Sequence, residues 1–284
     1  MLSLKNNVLV VLVFISSVFT TTAKAGLIDL GVDLSTVDKY TFAVGGASSS
    51  LILGSEAEIF GSVASQYYLS TAPSVKIHGD ACYQASGMGP NTTVDGFSGT
   101  CDEINQLESV IAQANAFATA LTGESISDIT GTFTLDASAQ NVYSVNEIHL
   151  ATGEFLTISG NADDQVIINV AGNIKVGSLA GILLTGGISS ANVLFNFSNN
   201  FAQNEFNFGG ANISGTFLGN NTSYIMGDGA TLDDVRFYTN KHLQANVQVV
   251  RTKEPSVEVP EPSTILMLMA GLFVVLMRSN IKPN

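Results

Sequence analysis

The sequence predicts a mainly β fold in which short strands wind into stacked coils, a β-solenoid, with one long α-helix packed beside it. Three observations carry this expectation. Short β-branched runs such as Val166-Ile167-Ile168-Asn169-Val170 are separated throughout by Gly, Asn and Asp, the pattern of strands bounded by turns. A motif of Ile-x-Gly-x-(apolar or small) occurs five times, beginning at Ile59, Ile77, Ile129, Ile158 and Ile213. The run from Val166 is echoed 27 residues later by Val193-Leu194-Phe195-Asn196-Phe197.

Each motif puts Ile and the fifth residue on one side of an extended chain, because alternate residues of a strand face the same way. The Gly between them lets a neighbouring backbone approach closely. The first two copies are 18 residues apart. Coils of about 18 to 27 residues, with Gly or Asn at their corners, would each bury an inward face against the next. A β-sandwich, also made of short strands and Gly-rich turns, is the competing architecture.

One segment departs from this pattern. Ile104, Leu107, Val110, Ile111, Ala114, Phe117 and Leu121 recur at three- and four-residue steps, which predicts an amphipathic helix over about residues 102–121. Thr100 and Glu103 fit a capping box at its start, and Gly123 fits its C-terminal stop.

The two ends read as targeting segments. Lys5, the apolar run Val8 to Phe14 and the small residues of Ala23-Lys24-Ala25 form a secretory signal over residues 1–25, cut between Ala25 and Gly26. A β ectodomain follows over residues 26–252, then a linker over 253–264. At the far end, Val259-Pro260-Glu261-Pro262-Ser263-Thr264 leads into the apolar run Ile265 to Met277, closed by Arg278. As a helix that run reaches only about 20 Å, a short membrane span over 265–278. Arg278 and Lys282 would stay on the cytoplasmic side, within a tail over 279–284.

Val259 to Arg278 resembles the PEP-CTERM sorting signal of Gram-negative bacteria: motif, short apolar segment and basic stop stand in that order. This chain has Arg278 alone where such tails usually close on an Arg cluster. The resemblance implies an exosortase-type protease as partner, membrane attachment through the C-terminal segment before processing, and association with exopolysaccharide. It implies delivery to the cell envelope, outer surface or extracellular matrix. The body, roughly residues 38 to 247, resembles the bacterial ice-binding-like β-solenoids and the related choice-of-anchor A domains. The stretches from Asp164 to Val170, Asn192 to Phe197 and Gly209 to Phe217 carry that likeness. It implies a right-handed solenoid used for adhesion or surface binding.

Composition narrows the function. Charged residues are 12% of the chain and the net charge is −13; without Lys5 and Lys24 the balance becomes 9 − 24 = −15. Such a surface repels nucleic acid and anionic membranes. Cys82 and Cys101 flank the Gly- and Ser-rich segment Tyr83–Thr100, which lacks periodicity. In an exported chain they are expected to form a disulfide. His78, His149 and His242 lie far apart in sequence with no Cys, His or carboxylate at ligand spacing, so each reads as a surface histidine. Asp163-Asp164 and Asp233-Asp234 read as solvated turns, since adjacent strand residues face opposite ways. No nucleophile elbow, P-loop or HExxH helix is present, and no metal or cofactor is expected. Thr130, Thr132 and Thr134 alternate once without recurring, short of the regular ladder that an ice-binding face needs. There is no Trp for sugar stacking; Tyr67, Tyr68, Tyr83 and Tyr143 are the candidate substitutes. The reading is a non-enzymatic structural or adhesive surface protein. A ligand-binding module for ice or glycan is the alternative, and a polysaccharide-active enzyme the third possibility.

Overall fold

The computed structural model describes residues 32–198, 204–206, 212–227 and 231–252. Ala25, Gly26, Val259 to Ser263 and Arg278, with the expected signal helix and C-terminal membrane helix, lie outside the described residues. No helix among the described residues is long and apolar enough to cross a membrane.

The N-terminal part supplies β1 (Tyr40–Val44), β2 (Ser50–Leu53), β3 (Glu58–Phe60), β4 (Ser62–Thr71), β5 (Lys76–Ile77), β6 (Ala81–Gly87), β7 (Thr93–Val94) and β8 (Ser98–Gly99). A 3-10 turn, Asp102–Gln106, runs into α1 (Leu107–Ala120). The second part supplies β9 (Glu124–Thr130), β10 (Phe133–Asp136), β11 (Val142–Leu150), β12 (Phe155–Ser159), β13 (Val166–Val170), β14 (Ile174–Val176), β15 (Gly181–Thr185), β16 (Val193–Phe197), β17 (Asn204–Phe206), β18 (Gly215–Gly219), β19 (Tyr224–Met226), β20 (Thr231–Asp233), β21 (Val235–Thr239), β22 (His242–Ala245) and β23 (Val249–Arg251).

Successive strands of a coil belong to three different stacks, and within each stack the registered pairs are parallel. Stack A includes β1, β21, β18, β16 and β13. Stack B includes β2, β22, β19, β17 and β14. Stack C falls into β7-β5-β3-β23-β20 and β15-β12-β10. The long strand β4 bends from stack A to stack B, pairing with β1 through Val63–Ser65 and with β2 through Tyr68–Thr71. Strand β11 does the same, pairing with β13 through Val142–Val145 and with β14 through Ile148–Leu150. The order within the stacks differs from chain order. β1 lies between β4 and β21, β2 between β4 and β22, and β3 between β5 and β23. The N-terminal coils therefore stack on the last coil of the chain.

The interior is one apolar column along the stacks. Phe195, Phe217, Phe237 and Phe42 occupy the same register. The Phe195–Phe217 and Phe217–Phe237 ring pairs stack at 4.8 and 4.7 Å, each adding about 0.5–1.5 kcal/mol beyond its burial. The recurrent glycines are corners rather than mid-strand residues. Ile59 and Ile77 are the last inward residues of their stack C strands, and Val63 and Ala81 the first inward residues of the stack A strands that follow, all four buried. Gly61 and Gly79 turn the chain between them, and a Cβ on Gly79 would stand 2.7 Å from the Gly61 backbone. The inward fifth residue fails in two copies: Phe133 is 37% exposed and Ala162 is exposed in a turn.

The helix lies over the outer side of stack A, on β13, β16, β18, β21 and β1. Those five strands are therefore buried at every position, whereas β2 and β14 of stack B alternate. The helix seam is Ile104, Leu107, Ile111, Ala114 and Ala118. Phe117, expected in that stripe, is 44% exposed, because the smaller Ala118 takes the position against the sheet.

The expected capping box does not form. The 3-10 turn has no side-chain cap; Thr100 Oγ1 donates to Tyr83 O (3.1 Å). Glu103 instead accepts from Tyr40 OH (2.7 Å) and pairs with Lys39. These contacts hold its carboxyl down at about 2, chiefly through the Lys39 hydrogen bond. Gly123 is not a left-handed stop either. The helix ends at Leu121 in extended backbone, and a Cβ on Gly123 would meet Val142 O at 1.8 Å. The Cys82–Cys101 disulfide is present, with Cα atoms 5.5 Å apart. Its enclosed segment, which looked aperiodic, is a coil of its own: β6, β7 and β8 pair with β4, β5 and β6.

Candidate functional site

Two outward surfaces gather polar side chains. The first is a ladder on stack C. Asp233, Arg251 and Phe60 stand side by side in register, and His78 and Asp95 follow in the same line just past β5 and β7. His78 Nε2 lies 3.0 Å from Glu58 Oε1, and its Nδ1 lies 2.7 Å from Asp95 Oδ2. Phe60 stacks on the imidazole at 4.4 Å, and Arg251 lies 5.2 Å above the Phe60 ring. The Glu58 hydrogen bond, then that of Asp95, raises the His78 pKa above its ordinary 6.5. Both carboxylates lie outside metal-ligand spacing in the sequence, 20 and 17 residues from His78; coil stacking alone brings them together. They take opposite ring nitrogens, so their oxygens do not converge on one point.

The second surface is a notch where α1 ends. Asn169 and Asn196 are in register under the helix. Asn196 Nδ2 donates to Asn169 Oδ1 (2.7 Å) and to Thr119 Oγ1 (3.0 Å). Asn115 Nδ2 donates to Asn196 Oδ1 (2.6 Å) and Phe197 O (2.9 Å). Asn169 Nδ2 donates to Ala118 O (2.9 Å) and Leu121 O (3.2 Å), satisfying carbonyls at the helix end. The same outward column continues through Ser144 and Ser125, past the end of α1. A groove of about 300 Å³ opens there, lined by Thr119, Ser125, Ser144, Asn146, Asn169 and Ser198 among others. Sequence reading missed Ser125 and Ser144; the signal lay in aligning the coil of Val142–Val145 with that of Ile167–Val170.

The other candidates stay apart. His149 and His242 are on stack B, where His242 Nδ1 meets Ser50 Oγ at 2.9 Å. Asp164 Oδ2 accepts from Ser138 Oγ (2.5 Å) and Asn161 N (2.6 Å), and these bonds, that of Ser138 first, lower its pKa. It closes a corner between coils. Asp233 faces Arg251 at 3.7 Å, and Asp234 turns the chain with φ 59°. Tyr67 and Tyr68 are 49% and 36% exposed at the bend of β4. Tyr143 is buried, its hydroxyl donating to Asp136 O (2.8 Å). Thr130 and Thr132 flank the Gly131 corner, so their alternation belongs to two different stacks. Among the described residues, the one set of three metal-type side chains is Cys82, Cys101 and Glu103. Its two sulfurs are bonded to each other.

A family model described as an ice-binding-like adhesive domain matches residues 17–231, and a PEP-CTERM protein-sorting motif matches residues 258–280. No curated protein matches the chain. Among solved structures, an ice-binding protein from an Antarctic biological consortium aligns with TM-score 0.57 at 19% identity, covering 81% of this chain and 92% of that one. One from the Antarctic ascomycete Antarctomyces psychrotrophicus aligns with TM-score 0.57 at 16% identity, over 78% and 97% of the two chains. The DUF3494 domain of Shewanella frigidimarina ice-binding protein 1 gives TM-score 0.53 at 16% identity, over 78% and 96%. At such identities the likeness establishes a β-solenoid-like fold. The matched families are adhesive and ice-binding rather than enzymatic, and the sorting motif implies processing by exosortase-type machinery. An exported cell-surface protein, this chain belongs to the ice-binding-like adhesive domain family.

Proposed function

We propose that the protein is a non-catalytic adhesive element of the outer surface or exopolysaccharide matrix of a Gram-negative cell. Residues 1–25 are removed at export, and the segment 265–278 is removed or retained by an exosortase-type protease acting near Pro260-Glu261-Pro262. The ectodomain then presents stacks B and C to the surroundings. The observation that carries this reading is the character of the outward columns. One column of stack B reads Thr130, His149 and Lys175, and further along Ile225, Gln244, Ile52 and Ser70. It is chemically mixed, neither a converging acid–base site nor a repeating hydroxyl ladder. A mixed, rigid surface suits contact with a heterogeneous polymer. The test is the intact mass of the protein from membrane, medium and matrix fractions of its native cells, with matrix retention scored after washing. A species from Gly26 to about Pro262 held in the matrix is expected. Turnover of polysaccharide by the purified protein, or its confinement to the cytoplasm, would refute the proposal.

Ice binding is the second reading, favoured by one patch. On stack C, Thr134 and Thr157 are in register, as are Asp136, Ser159 and Thr185. The set spans three coils, about 10 Å at the usual strand spacing, and Leu183 ends the Thr column. Thermal hysteresis abolished by Thr157→Leu would establish this reading over simple adhesion.

A further inference from the structure

We infer that the notch at the end of α1 is a saccharide subsite for a neutral glycan chain. The inference rests on the adhesive reading and gives it a location. The helix ends at Ala120, and the stack continues past β13 by two more coils, β11 and β9. Asn169 and Asn196 of the outward column are consumed by hydrogen bonds to the helix and to each other. Ser125 and Ser144, next in the column, sit beyond its cover, and their hydroxyls form no hydrogen bond among the described residues. Asn146, two residues after Ser144 on β11 and so on the same face, also lines the groove; its Nδ2 donates to Asp128 Oδ1 (2.8 Å), which leaves its amide oxygen as an acceptor.

The chemistry of the groove selects the ligand class. At about 300 Å³ it reaches the lower end of small-molecule sites, and its few polar groups converge on one space. No ionisable side chain lines it, in a chain of net charge −13. An anionic ligand would meet repulsion from the whole molecule and no local compensating cation. Hydroxyls and an amide carbonyl suit sugar hydroxyls, which both donate and accept; Ile126 and Val145, the neighbours of the two serines, face the core. The groove is open to solvent, so a chain can enter along its length rather than by an end.

The experiment is retention of the exported protein on immobilised dextran, cellohexaose and mannan, with alginate as the anionic comparison. Variants are Ser144→Leu, Ser125→Leu and the pair Tyr67→Ala/Tyr68→Ala, each checked for fold by circular dichroism. Both serines point away from the core, so at least one leucine variant is expected to fold. Binding to a neutral glycan, weakened about tenfold by either leucine as for one or two lost hydrogen bonds and unchanged by the tyrosine pair, is the expected result. Retention on alginate alone, or on none of the three neutral glycans, overturns the proposal. Retention lost in the tyrosine pair but kept in both leucine variants also overturns it, while leaving surface adhesion standing.

Discussion

Replacing Asn196 by alanine tests whether the helix is fastened by a desolvated amide ladder. Asn196 is fully buried. The substitution removes donors to Asn169 Oδ1 and Thr119 Oγ1 and the acceptor of Asn115 Nδ2. Asn115 keeps Phe197 O, and Thr119 Oγ1 still donates to Asn115 O. Asn169 Oδ1, in a residue 7% exposed, loses the donor Asn196 supplies. An orphaned buried acceptor costs about 1–3 kcal/mol, and each lost neutral hydrogen bond about 0.5–1.5 kcal/mol. The expected loss is therefore about 2–4 kcal/mol. Urea unfolding followed by circular dichroism measures it as a shift in midpoint at constant m. Asn115→Ala in the same background should couple, with the double variant about 1–2 kcal/mol less destabilised than the sum. A loss under about 0.5 kcal/mol, or strict additivity, would mean that water reaches the ladder and the reasoning fails.

Three further outcomes follow from the same packing. Cys82→Ala/Cys101→Ala opens a loop with a sequence separation of 19 and should cost about 3 kcal/mol, read as a fall of about 6–12 °C in Tm; hydrogen exchange should rise first in Asp102–Gln106. Glu103 titrates at about 2 against an ordinary 4.5. Because its folded value is depressed, its contribution is present above pH 4.5 and is lost as pH falls toward 2. Acid unfolding of Glu103→Gln should therefore be flatter across that window, and an unchanged profile would show that Lys39 and Tyr40 do not hold the carboxylate. Gly123→Ala must displace Val142 O, 1.8 Å from the new methyl; a loss of about 1–3 kcal/mol is expected from such overpacking, and a neutral result in urea would show that the turn yields.

Much of the fold was legible because each coil repeats the same local demands. The echo of Val166–Val170 at Val193–Phe197 is a true register pair, and the Ile-x-Gly motif marks real corners. A looser motif would have found one more corner, at Val94-Asp95-Gly96-Phe97-Ser98, where a Cβ on Gly96 would lie 2.9 Å from Gly79 O. The alternation rule misled in stack A, because a strand covered by core on one side and helix on the other has no solvent-facing side, and even its polar Asn169 and Asn196 are buried. Capping was misread for a related reason: Glu103 has a stronger use across the fold, on Lys39 and Tyr40, than at its own helix start. The partners of His78 and the serines of the notch were invisible because they meet through stacking, which no fixed sequence spacing encodes.

The order of the coils has a consequence for where the domain ends. A solenoid is quasi-one-dimensional, so each coil is held by its two neighbours. The last described coil, β21, β22 and β23, has one neighbour close in sequence and one far away. Its distant neighbour is the first coil: Tyr238 OH donates to Tyr40 O across 198 residues, and Thr41 Oγ1 meets Thr252 Oγ1 at 2.6 Å across 211. Phe237 stacks on Phe217 at 4.7 Å on one side and packs against Phe42 at 6.1 Å on the other. The family match stops at residue 231, before this coil begins. A fragment ending at 231 would expose Phe42 and Phe217 to water and leave β1 and β18 with open edges in mid-stack. It should be unfolded or aggregated where a fragment ending at 255 gives a sharp urea transition. A cooperative transition for the shorter fragment would mean that β1 can close directly on β18, and that the last coil is an insertion rather than the keystone of the stack.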